Sequence, residues 1–220
     1  MGSPTLVLAS NSPRRRELLA VCGWEFIVRP VDVDEQSFSG EEPASYVLRL
    51  AARKADVCAD RVHPDQVILA ADTTVAIDGL ILGKPGDAAE ATAMLSRLRA
   101  REHQVHTGIA VHSNGTIRTA LCTTNVPMRA YTDKQVRDYV ASGDPLDKAG
   151  AYAIQHPGFH PVDELRGCYA SVMGMPLCHL TRTLSQSGVQ PPADVPLRCQ
   201  AYLHYSCPVS AAILRGEAAG

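Results

Sequence analysis

The chain has 220 residues, 45% hydrophobic and 20% charged, which is enough apolar material for a sizeable core in one domain or in two lobes sharing a sheet. A formal net charge of -2 gives the molecule as a whole no reason to seek nucleic acid or an anionic membrane, and no apolar run approaches the length of a membrane span. The seven cysteines are odd in number, scattered and free of any C-x-x-C pair, so they read as buried thiols, and with no long apolar segment at the N-terminus a cytoplasmic location is expected.

The first element is the apolar run from Leu6, which passes through Ser10-Asn11-Ser12-Pro13 into three arginines, the pattern of a strand handing over to a helix. Ser12 is the expected N-cap, its hydroxyl accepting from an early helical N–H, with Pro13 at the first helical position. Free N–H groups, the helix dipole and the guanidinium groups of Arg14, Arg15 and Arg16 then converge on an anion site, most naturally for phosphate. The competing reading is a solvated helix start, and the stretch by itself leaves both open.

Phe26-Ile27-Val28 predicts a short strand, and the acids Asp32, Asp34 and Glu35 after it mark a loop that is either functional or solvated. From Pro43 to about Ala59 apolar residues recur with helical period. Lys54 comes seven residues after Val47 and so, at ~100° per residue, lies on or beside the apolar face, where it must snorkel or meet an anion. Val67 to Ala71 reads as a strand buried on both faces that ends at Asp72, an acid at a strand's carboxyl edge. Asp78-Gly79 predicts a hairpin between Val75-Ala76-Ile77 and Leu80-Ile81-Leu82, and Lys84 returns beside it.

Asp87-x-x-Glu90 predicts a capping box and a helix buried through Ala91, Met94, Leu95 and Leu98. Strands around Gln104–Val111 and Ile117–Val126 are joined by Ser113-Asn114-Gly115, and Thr132-x-x-Gln135 opens another helix that Gly143 ends. The loop Ser142–Gln155 has small residues that let backbone approach a ligand. Pro176–Ser187 predicts a last helix, and the tail after Gln190 carries a short apolar stretch near Val209–Leu214, either docked or mobile. The whole reads as an α/β protein, a mixed sheet flanked by helices, in which residues 1–190 form one domain and 191–220 an extension.

His103 and His106 are three apart in a strand and so point to opposite faces, which argues against a metal pair. No P-loop, no G-x-G-x-x-G turn and no G-x-S-x-G elbow is present. There remain the cations Arg14, Arg15, Lys54 and Lys84 and the acids Asp34, Glu35 and Asp72, all near expected element ends. Gathered in one cleft they suit a polyphosphate, with carboxylates holding a divalent cation and hydrolysis assisted by it. Beside those cations Asp72 is expected to have a depressed pKa.

The motifs Ser10–Leu19, Tyr46–Ala55, Ala71-Asp72-Thr73-Thr74-Val75, Leu82-Gly83-Lys84-Pro85, His103–Gly108, Ser142–Gln155 and Gly174-Met175-Pro176-Leu177, in this order, resemble the Maf family of nucleoside triphosphate pyrophosphatases. The resemblance implies a twisted mixed sheet in two lobes with a deep cleft, of the Maf/ITPase type, and cleavage between the α and β phosphates. It implies that Asp72 activates water, with Lys54 and Lys84 beside it in the catalytic set. Arg14, Thr73 and Gln155 occupy positions that choose the base, and Ser10, Arg15 and Glu35 complete the substrate pocket. Glu35 and Asp72 are the implied ligands of Mg2+ or Mn2+. Asp72-Thr73 with Ile154-Gln155 resembles the branch acting on dTTP and UTP, and a modified pyrimidine nucleotide is within its range. The segment His156–Pro161 and Cys168–Ser171 depart from the family pattern, and the tail after Gln190 matches nothing in it. The expected partner is a small-molecule nucleoside triphosphate rather than nucleic acid or membrane, and a homodimer is left open. The alternative function is a non-catalytic nucleotide-binding regulator of cell division.

Overall fold

A computed structural model describes residues 4–217. Six strands form one sheet in the order β2-β1-β3-β5-β6, with β4 also on β3. They are β1 (Leu6–Leu8), β2 (Phe26–Val28), β3 (Val67–Ile77), β4 (Leu80–Leu82), β5 (Glu102–Ser113) and β6 (Thr116–Pro127). β1 runs parallel to both β2 and β3, whereas β4 and β5 are antiparallel to β3 and β6 is antiparallel to β5. The parallel and antiparallel halves therefore share β3, giving the mixed sheet flanked by helices that the sequence leads one to expect.

Two apolar clusters cover the two faces, and β3 alternates between them as a strand must. Val67, Leu69, Ala71 and Val75 join the larger core with Leu18 and Leu19 of α1 (Pro13–Val21) and Leu95 and Leu98 of α3 (Ala88–Leu98). Ile68 and Ala70 face the other way, under Ala51, Ala55 and Cys58 of α2 (Pro43–Ala59). At Gly108 of β5 an added Cβ would lie 2.6 Å from the Val47 carbonyl oxygen, so α2 rests directly on strand backbone. Further helices follow: α4 (Asp133–Ala141), α5 (Tyr169–Val172), α6 (Leu177–Ser185), α7 (Val195–Leu203) and α8 (Ser210–Arg215).

Three expectations are corrected. The strand does not end at Asp72: Asp72 pairs with Gly108 in mid-strand and β3 runs on to Ile77. A buried carboxylate is tolerated there because a buried cation meets it. Ser12 sits at the N-cap of α1 with Pro13 after it, but its hydroxyl caps nothing; its own N–H instead donates to Ser10 Oγ at 3.2 Å. Asp87 caps α3 through Glu90 N at 2.8 Å, yet the Glu90 carboxylate accepts from Gly86 N rather than from Asp87, so the box is half closed. The box at Thr132 and Gln135 forms fully. The tail is docked, and α7 precedes the short helix expected near Val209. Val195 and Ile213 are buried against the body, and Tyr205 Oη donates within reach of the Leu165 and Gly167 carbonyls.

Candidate active site

The site follows from how two strands share one edge of β3. β1 pairs with it only as far as Leu8 opposite Leu69, and β4 reaches back only as far as Leu82 opposite Val75. Between them the edge from Ala70 to Thr74 has no partner strand, a notch at the carboxyl end of β1 of the kind where ligands gather in α/β sheets. The chain leaving β1 turns through Ser10 into α1 at this notch. Period-2 alternation then sends two neighbours to opposite faces, Asp72 toward α2 and Thr73 toward α1.

On the α2 face, Lys54 Nζ stands 2.6 Å from Asp72 Oδ1 and 2.6 Å from Glu35 Oε1. The lysine on an apolar helix face has thus met an anion, indeed two. Lys54 and Asp72 are buried while the Glu35 side chain is half exposed. The expected depression of the Asp72 pKa is overturned. Burial, which disfavours the carboxylate, outweighs the attraction of Lys54 and Arg15 and raises the pKa above the usual aspartate value. Glu35 goes the other way. Partial burial raises its pKa, but the Lys54 hydrogen bond and charge, aided by Lys84 and Arg15, bring it below the usual value.

On the α1 face, Arg15 donates from Nε to the Gly174 carbonyl at 2.9 Å, from Nη1 to Ser10 Oγ at 3.2 Å and from Nη2 to Thr73 Oγ1 at 3.3 Å. These acceptors are all neutral. Burial lowers the Arg15 pKa, with Asp72 opposing that and Arg14 adding to it, and the group remains a cation. Thr107 Oγ1 donates to the Ser171 carbonyl at 2.9 Å, so its single proton is spent and Thr73 must donate across the 3.0 Å Thr73–Thr107 bond. The polarity runs Arg15 to Thr73 to Thr107 to Ser171.

The structure therefore brings Lys54, Glu35 and Asp72 into one contact set, and Ser10, Arg15 and Thr73 into another on the opposite side of β3. Arg14 and Lys84 act at longer range, Arg14 on the charge of Arg15 and Lys84 on that of Glu35, without direct contact. Lys84 is held near by its neighbour, whose Gly83 carbonyl accepts from Gly150 N at 3.0 Å. Gln155 is exposed and makes no side-chain hydrogen bond to the other site residues. Asp34 is a loop residue, its Oδ1 accepting from Gln36 N at 2.9 Å, and Arg16 is exposed. His103 and His106 do face opposite ways, His103 to Tyr152 Oη at 2.8 Å and His106 to Thr123 Oγ1 at 3.0 Å. The unusual segment after Gln155 is a turn closed by His156 Nδ1, which accepts from Phe159 N at 2.9 Å while Phe159 stacks on Tyr139.

Arg49, Thr107 and Gly174 join the surroundings of the site without having been singled out as site residues. Gly174 enters by its backbone oxygen and Arg49 through a loop, neither of which leaves a signal in residue type. Among the described residues no group of three or more His, Cys, Asp or Glu side chains is arranged to hold a metal ion by itself. No helix of the described residues is long and apolar enough to cross a membrane.

The description Maf-like protein fits residues 5–187 of this chain. A Myxococcus xanthus protein named dTTP/UTP pyrophosphatase is 48% identical over 187 residues, covering 85% of this chain and 94% of that one. One of the same name from Methylobacillus flagellatus is 46% identical over 188 residues, with the same coverage of 85% and 94%. A third, from Anaeromyxobacter dehalogenans, is 45% identical over 198 residues and matched along 100% of its length. With the motifs in family order and their polar residues gathered at one notch, this chain belongs to the Maf family.

Proposed function

We propose that the chain hydrolyses nucleoside triphosphates, dTTP and UTP among them, to the nucleoside monophosphate and pyrophosphate. The observation that carries this is the notch, where a partly buried guanidinium held only by neutral acceptors stands across one strand from a buried carboxylate already paired with lysine. A guanidinium without a carboxylate in contact is short of an anion, and phosphate oxygens match its fork. The names of the relatives support the substrate class.

In this reading Arg15, Arg14 and Lys84 bind the phosphates, and Ser10 fixes the Arg15 fork. Lys54 orients Asp72 and keeps it ionised. Asp72 takes a proton from water as that oxygen bonds to the α-phosphorus; the bridging oxygen to the β-phosphorus keeps the electron pair and leaves with pyrophosphate. The raised pKa makes Asp72 a stronger base than an ordinary aspartate. Thr73, with its proton committed to Thr107, offers a remaining lone pair to a base N–H.

Glu35 and Asp72 also fit a divalent cation. Their oxygens share one Lys54 Nζ and so lie no farther apart than twice 2.6 Å, and two carboxylates are what Mg2+ takes when substrate phosphates and water supply the rest. A divalent cation held by them, Mg2+ or Mn2+, would supply charge neutralisation at the phosphates and a lowered pKa for water. The partner is a small molecule, and a cytoplasmic location accords with the free thiols.

The test is pyrophosphate release from a nucleotide panel with Mg2+ or Mn2+. Turnover is expected to be fastest with dTTP and UTP. Tight binding of these nucleotides by folded protein with no release would favour the non-catalytic regulator.

A further inference from the structure

Glu35 presents a problem of positioning. It lies in the irregular stretch between β2 and α2, its side chain is half exposed, and yet its carboxylate reaches Lys54 at 2.6 Å. An exposed side chain on a free loop gives up much conformational entropy to hold such a place, so something else must order the loop.

α2 does so from one face. Tyr46 Oη donates to the Glu35 carbonyl at 2.8 Å, and Arg49 Nη2 donates to the next carbonyl, Gln36, at 3.1 Å. The Arg49 fork also grips both oxygens of Glu41 at 2.6 Å, and its guanidinium lies 4.1 Å from the centre of the Phe38 ring. Glu41 in turn accepts from Phe38 N at 3.0 Å, which closes the loop on itself. One guanidinium thus ties the residue after Glu35 to the far end of the loop, and the helix carrying it also carries Lys54. Surface ion pairs are usually worth little, but a planar fork engaged in two bonds to a carboxylate, one to a carbonyl and a ring stack fixes geometry as a lysine cannot.

We infer that Arg49 is a positioning residue for Glu35, setting the carboxylate where nucleotide and divalent cation meet it. This rests on the proposed nucleotide site. Mn2+-dependent binding of α,β-methylene-dTTP, which cannot be cleaved between those phosphates, tests it by calorimetry. Arg49→Lys is expected to weaken binding about tenfold, as Glu35→Gln does, with thermal unfolding monitored to confirm folded protein. The double variant is expected to bind no more weakly than Glu35→Gln alone, because both changes remove one interaction. Phe38→Ala, which removes only the ring stack, should give a smaller loss. Unchanged affinity in Arg49→Lys, or additive losses in the double variant, would overturn the inference, additivity being the mark of a purely structural role. Wild-type protein that binds the analogue but releases no pyrophosphate from dTTP overturns the hydrolase reading, while the same pattern of losses still supports Arg49.

Discussion

Asp72 and Thr73 are consecutive, and the pleat of β3 alone sends one to the lysine of α2 and the other to the arginine of α1. That arrangement was half legible for Lys54, whose angular position on an apolar helix face left it either to snorkel or to meet an anion. It was not legible for the pKa of Asp72, because the sequence shows which charges are near but not how much water is lost. With its pKa raised by burial, Asp72 becomes protonated on acidification earlier than an ordinary aspartate. A base must be ionised to act, so kcat/KM for dTTP should fall as pH drops through a pKa above the reference 3.8. Asp72→Asn should cut kcat by about 100- to 10,000-fold while the protein stays folded. An acid limb at or below the reference value, or an asparagine variant with wild-type turnover, would remove Asp72 from the role of base.

Among the elements, α2 is the one the site depends on most. Its bounds were readable because Pro43 marks a helix start and its apolar residues keep a helical period to Cys58. The length of β3 was not, since an acid after an apolar run reads as an end until the lysine covering it is seen. α2 supplies Lys54, Tyr46 and Arg49, and it reaches the sheet only because Gly108 leaves room for the Val47 carbonyl. Gly108→Ala puts a methyl group against backbone that cannot swing aside. It should cost about 1–3 kcal/mol in urea unfolding and lower dTTP turnover by displacing Lys54 from Asp72. Loss of stability without loss of turnover would show that the height of α2 above the sheet does not set the site.

At the scale of the molecule, the order of motifs revealed the family and the hairpin signals the sheet's mixed character, whereas the tail stayed open because its apolar residues fall in short stretches broken by proline and find their partners only in tertiary structure. The match to the Maf-like description ends at residue 187, yet the chain beyond it buries Val195 and Ile213 and ties Tyr205 to the loop that leads into α5. Removing residues after Gln190 should therefore cost at least about 3 kcal/mol, counting only those two side chains, read as a lower melting temperature in calorimetry. An unchanged melting temperature would mean the tail is carried without contributing.

The central claim is that water attacks the α-phosphorus of a pyrimidine nucleoside triphosphate in the notch of β3. Following dTTP hydrolysis by 31P NMR with Mg2+ tests it most directly. Run in 18O-enriched water, dTMP and pyrophosphate should appear in equal amounts with the 18O isotope shift on dTMP; the shift on pyrophosphate, dTDP with inorganic phosphate, or dTTP left intact by folded protein would contradict it.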